Sequence, residues 1–146
     1  MSQVTPLESV PSPDPGAPLP ALFQSETQCA FAYRSAAAWR GKTVVLRFDG
    51  CLSAQFGYPN DEALAGHLLW SQGLDYYGCF EVGDSPWLQE LRAQNRVHSA
   101  DSESWGADLR HFVIAMHDST FECLATGVSS SLSEESPRDP VAATLA

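Results

Sequence analysis

The stretch LRHFVIAMHDSTFECLA, residues 109–125, decides the fold. Phe112-Val113-Ile114-Ala115-Met116 is an apolar run without a breaker, which reads as a core strand. It stops at His117-Asp118-Ser119-Thr120 and resumes as Phe121-Glu122-Cys123-Leu124. Asp118 and Ser119 bond local backbone donors through their side chains, so the interruption reads as a polar turn. The segment is therefore one long strand, or two strands joined at that turn. Alternation puts Glu122, between Phe121 and Cys123, on the solvent face.

Working outward, CAFAYR (residues 29–34) alternates large and small side chains, a strand with Cys29, Phe31 and Tyr33 inward. A helix competes here, because Ser25-Glu26-Thr27-Gln28 fits a capping box and Ala36-Ala37-Ala38 favours helix up to Gly41. TVVLRF (residues 43–48) is a strand by β-branched content. Asp49-Gly50 separates it from CLSAQF (residues 51–56), a pattern that predicts a hairpin with a type I′ turn. Gly57-Tyr58-Pro59-Asn60 ends that unit, and Asn60 caps a short helix through residues 61–64 that stops near Gly66. Asp61 and Glu62 complement the dipole of its first turn. LDYYGCFEV (residues 74–82) reads as a strand broken or bulged at Gly78. Ser85 as N-cap and Pro86 at the first position open a helix ending around Asn95, with Trp87 as its anchor to the sheet. Residues 98–108 form a polar loop. These elements predict an α+β domain, a mostly antiparallel sheet of about five or six strands with two short helices.

The chain has 146 residues, enough for one domain. Residues 1–21 hold six prolines, which remove donors and fix φ, and read as a disordered tail. Residues 129–146 form a Ser-rich, acidic tract too polar to offset chain entropy, and read as a second tail. The globular unit is then residues 22–128.

The formal charge is −10; between residues 22 and 128, thirteen acids against seven bases leave −6. Such a surface repels phosphate backbones and argues against nucleic acid, whereas it favours a basic protein partner. Negative charge also serves solubility alone. No signal-like or membrane-spanning run is present, so the expectation is a cytoplasmic protein without a membrane partner. Cys29, Cys51, Cys79 and Cys123 form no CxxC pair and read as small buried hydrophobes. The preference for Arg over Lys, with abundant Ala and Pro, points to a GC-rich bacterial source.

His111 and His117 lie an even six residues apart, about 20 Å along an unbroken strand, too far to share a metal with ligand distances of about 2 Å. No HExxH or HxH spacing brings in His67 or His98, and nothing asks for a cofactor. His117-Asp118-Ser119 contains the residue types of a hydrolytic relay. Adjacent strand residues face opposite ways, however, and no GxSxG elbow accompanies them. Phe121, Glu122 and Leu124 give Cys123 none of the positive surroundings that activate a thiol. The stretch GYPNDE (residues 57–62) carries Tyr58, Asn60, Asp61 and Glu62 on a loop entering a helix, suited to touching a partner. Tyr76 and Tyr77 alternate across their strand, which puts one ring outward.

FGYPNDEALAGH (residues 56–67) and RHFVIAMHDSTFEC (residues 110–123), with LDYYGCFEV and SPWL between them, resemble a group of small uncharacterised bacterial proteins. The resemblance implies that these stretches act as a unit and brings no activity with it. The resulting expectation is a non-catalytic binding domain, of immunity or accessory type, that recognises a basic protein. Its candidate residues are Tyr58, Asn60, Asp61, Glu62, His67, His117 and Asp118. The alternative is a hydrolase-like or metal-assisted enzyme using His67, His111 or His117 with Asp118. The oligomeric state stays open.

Overall fold

A computed structural model describes residues 1–143. Its strands are β1 (Gln3–Pro6), β2 (Ala21–Gln24), β3 (Cys29–Arg34), β4 (Thr43–Asp49), β5 (Ser53–Gly57), β6 (Gly78–Gly83), β7 (Arg110–Ala115), β8 (Thr120–Ala125) and β9 (Gly127–Ser133). Helices α1 (Pro86–Asn95) and α2 (Arg138–Ala143) and three short 3-10 turns complete it. Every strand pairing is antiparallel. One sheet has the order β1-β6-β7-β8-β5 and the other β2-β3-β4-β9, which makes the chain α+β. Among the described residues, no helix is long and apolar enough to cross a membrane.

The residues of the deciding stretch form β7 and β8, joined through a turn in which the Met116 N–H donates to the Ser119 carbonyl at 3.0 Å. Phe112, Ile114, Phe121 and Cys123 face inward and meet Cys29, Phe31, Tyr33, Val44, Leu46 and Phe48 of the other sheet. Phe31 stacks on Phe121 with ring centroids 4.3 Å apart, which ties the two sheets together. The alternate residues of β7, Val113 and Ala115, face outward into a second core with Val4, Leu64, Leu69, Leu74 and Phe80. β7 is thus buried on both faces, and that is why its sequence is continuously apolar rather than alternating.

Four expectations change. Asp49-Gly50 makes no hairpin, because β4 and β5 belong to different sheets. The chain turns a corner there instead, beside the β8–β9 junction, where the Asp49 carbonyl accepts from the Thr126 N–H (2.8 Å) and hydroxyl (3.0 Å). Gly50 sits at φ +54°, and a Cβ would lie 2.9 Å from Thr126 Oγ1. The left-handed glycine that the Asp-Gly pair signals is present, but it serves a corner. Second, the strand expected over residues 74–82 begins only at Gly78, and Tyr76 and Tyr77 precede it, with Tyr77 at φ +52°.

The proline-rich tail is the third change. Gln3–Pro6 pairs with β6 as an edge strand, where a proline is tolerated. Prolines donate nothing but still accept: the Pro11 carbonyl takes the Tyr33 hydroxyl (2.7 Å), and the Pro18 carbonyl takes the Arg34 N–H (2.7 Å). Finally, the Ser-rich tract expected to be free supplies β9, which covers the edge of β4, and α2, whose Val141 packs on Ala32 and Val45. An edge strand with open faces carries serines without the cost they would bring to a core. Residues 144–146 of that expected tail lie outside the described residues.

Candidate functional site

The outer face of the five-stranded sheet carries a chain of four polar side chains. Register pairs Glu122 of β8 with Val113 of β7 and Gln55 of β5, so all three share the outward face. His111 lies on the neighbouring diagonal of that face. Its Nε2 is 2.8 Å from Glu122 Oε1, and its Nδ1 is 2.7 Å from Ser85 Oγ. On the other side His67 Nε2 is 2.9 Å from Glu122 Oε2. His67 arrives from the 3-10 turn Asp61–Gly66, which Asn60 caps by accepting the Ala63 N–H at 3.1 Å. Ser85 is the N-cap of α1, as the Ser-Pro pair predicts, and its Oγ also accepts the Leu88 N–H at 3.1 Å.

The partners assign the protons. His67 Nδ1 accepts the Leu69 N–H (3.0 Å), so its proton is on Nε2 and is donated to Glu122. Ser85 Oγ, an acceptor for α1, gives its own proton to His111 Nδ1, and His111 Nε2–H goes to Glu122. Glu122 thus accepts a ring N–H on each of its two oxygens. Burial pushes the Glu122 carboxyl up, but hydrogen bonds from His111 and His67 and their electrostatic attraction prevail and hold it down at about 2. Trp87 packs against His111 with ring centroids 5.3 Å apart, which fulfils its role as the anchor of α1. A cavity of about 240 Å³ opens over Glu122 between Leu68, Trp87 and Glu90.

A second grouping gathers around the tip of the β7–β8 hairpin. The GYPNDE loop packs beside it: the Asp61 N–H donates to the His117 carbonyl and the Thr120 hydroxyl to the Pro59 carbonyl, each at 2.9 Å. His117 Nδ1 is 2.9 Å from Asp118 Oδ1. Asp118, with Asp61 and Glu62 nearby, raises the His117 pKa above its ordinary value against a small opposing effect of burial. The Tyr77 hydroxyl donates to Asp61 Oδ2 at 2.7 Å. Tyr76 bridges the rings of Trp70 (5.1 Å) and Tyr77 (5.7 Å), and Tyr58 stands 80 % exposed on the loop.

Two clefts meet at Tyr76 and Tyr77. One, of about 330 Å³, is bounded by Asp61, Glu62 and His117; the other, of about 350 Å³, by Glu8, Trp39 and Asp75. No lysine or arginine lines either.

The candidate residues thus divide. Tyr58, Asn60, Asp61, Glu62, His117 and Asp118 gather at the hairpin tip, whereas His67 joins His111 on Glu122. The set His67, His111, His117 and Asp118 does not converge. Glu122 is not on a solvated face as alternation suggested: the face is right, but His67 and α1 cover it. Ser85, Glu122, Glu8 and Asp75 were missed as site residues. Glu122 was reachable from sequence, because a turn at residues 117–119 fixes the register that brings it beside His111. Among the described residues, no group of three or more His, Cys, Asp or Glu side chains is arranged to hold a metal ion. No protein-family model, curated protein or solved structure matches the chain.

Proposed function

We propose that this chain is a non-catalytic binding domain that takes a Lys- or Arg-bearing segment of a protein partner along the acidic clefts at the hairpin tip. One observation carries the reading: four carboxylates (Glu8, Asp61, Glu62 and Asp75) and the aromatic rings of Trp39, Tyr76 and Tyr77 border two joined clefts that no lysine or arginine lines. Carboxylates attract and orient a basic segment, and tyrosine and tryptophan supply rigid contact area. Neutralisation of a basic toxin by an immunity-type protein is one specific form of this function. The four free thiols suit a reducing bacterial cytoplasm as its place of work.

The enzymatic alternative has one observation in its favour, the Ser85–His111–Glu122 order of hydroxyl, imidazole and carboxylate. Against it, Ser85 is 3 % exposed and its Oγ is engaged on both sides, which leaves no approach for an acyl group. Ester hydrolysis lost on Ser85→Ala would favour that alternative.

The test of the binding function is affinity capture with the full chain from its source cells, repeated with Asp61→Lys/Glu62→Lys. The expected result is one stoichiometric partner of high isoelectric point, released by salt and lost by the double variant. An acidic partner, or one retained equally by the double variant, overturns the reading.

A further inference from the structure

We propose that the cavity over Glu122 binds a small organic ammonium group, held between the Trp87 indole and the Glu90 carboxylate. The cavity shares no lining residue with the two acidic clefts, so this site stands apart from the partner surface.

The charges come first. Glu90 and Glu122 bring two carboxylates to the cavity, and no lysine or arginine lines it. All four imidazole nitrogens are already engaged, so no ring N–H is free to receive an anion. Each Glu122 oxygen accepts a single proton from the protein and keeps a second acceptor direction. The Glu90 carboxylate, on the exposed side of α1, makes no hydrogen bond or ion pair with any described residue. A cation is therefore the species whose charge this cavity complements.

The walls narrow the class further. Trp87, the best aromatic partner for an organic cation, is fixed by its edge-to-face packing on His111. Leu68, 75 % exposed, and Pro86 supply apolar surface for carbon substituents on the nitrogen. A bare metal ion would gain nothing from these groups. The volume of about 240 Å³ lies below the range of roughly 300–1,000 Å³ usual for drug-sized ligands, which limits the occupant to a head group with a short stem.

The test follows the Trp87 indole N–H by NMR in the full-length protein, assigned through Trp87→Phe, during titration with choline. The controls are its uncharged isostere 3,3-dimethyl-1-butanol and butyrate. Choline should give a saturable shift, the alcohol should bind about tenfold more weakly, and butyrate should not bind. Glu90→Gln, an exposed change that leaves the fold intact, should weaken choline roughly threefold, and Trp87→Leu roughly fivefold or more. Asp61→Lys/Glu62→Lys should leave it unchanged. n-Butylammonium compared with Nα-acetyl-lysine methylamide then separates a free amine from a presented lysine side chain, and binding by either upholds the ammonium site. Equal binding of the alcohol, undiminished binding by Glu90→Gln, or no saturable shift with any ammonium overturns it.

Discussion

His111 with Glu122, and His117 with Asp118, are both an imidazole beside a carboxylate at almost the same separation, 2.8 and 2.9 Å, within one β-hairpin. Their surroundings differ. The first pair has side chains 3 % and 14 % exposed, the second 44 % and 89 %. In the covered pair every proton has a named acceptor, and the carboxylate bridges two imidazoles while one of them reaches the cap of α1. At the hairpin tip the pair competes with water, and its charges remain free to meet something from outside. Identical chemistry therefore fastens the fold in one place and presents a surface in the other. Burial makes the difference.

The largest expected effect comes from Glu122→Ala. It strands two buried imidazole donors at once and should cost roughly 4 kcal/mol in urea unfolding. A loss below about 1 kcal/mol, the scale of a surface pair, would erase the contrast between the two pairs.

Next is acid stability. The Glu122 carboxyl lies at about 2 in the fold against an ordinary 4.5. As pH falls, the unfolded chain takes up its proton first, so the contribution is complete above about pH 4.5 and lost on descent towards about pH 2. Roughly 3 kcal/mol should disappear across that window. The difference between wild type and Glu122→Gln, followed as the urea midpoint against pH, isolates this group. Glutamine is the gentler variant, because His111 is able to switch tautomer against Ser85 and accept from the new amide. His67, held by the Leu69 N–H, is not.

Ser85→Ala should cost roughly 1.5 kcal/mol, since it removes both the helix cap and the donor to His111. A loss of that size in thermal unfolding joins α1 to the buried pair; no loss detaches it. The smallest effect on stability belongs to the tip: Asp61→Asn/Glu62→Gln should change unfolding by no more than about 0.5 kcal/mol while weakening the partner. Binding of a basic partner should also weaken as pH falls through the raised His117 value, because protonation adds a positive charge to the cleft. His117→Gln should abolish that step.

Much of the fold was legible because local physics fixed it. Alternation gave the inward faces of β3, the Ser85-Pro86 pair gave the start of α1, and Asp118-Ser119 gave the turn. What was not legible depended on partners distant in sequence. Gly50 needs a left-handed backbone in a hairpin and in a corner alike, and only Thr126, 76 residues on, decides between them. The Pro-rich and Ser-rich segments bury little by themselves; they are ordered because β6 and β4 have edges to be paired. Of the candidate site, the resemblance implied that the GYPNDE stretch and the stretch holding His117 and Asp118 act together, and they pack side by side. Glu122 was misread because strand alternation reports a face and not what covers it.

The most direct measurement compares capture of the basic partner by three forms of the full chain: wild type, Glu122→Gln and Asp61→Lys/Glu62→Lys. The account predicts that wild type and Glu122→Gln retain it stoichiometrically while the charge-reversed tip releases it. Retention by the charge-reversed form, or loss confined to Glu122→Gln, would contradict the assignment of binding to the tip and of support to the buried pair.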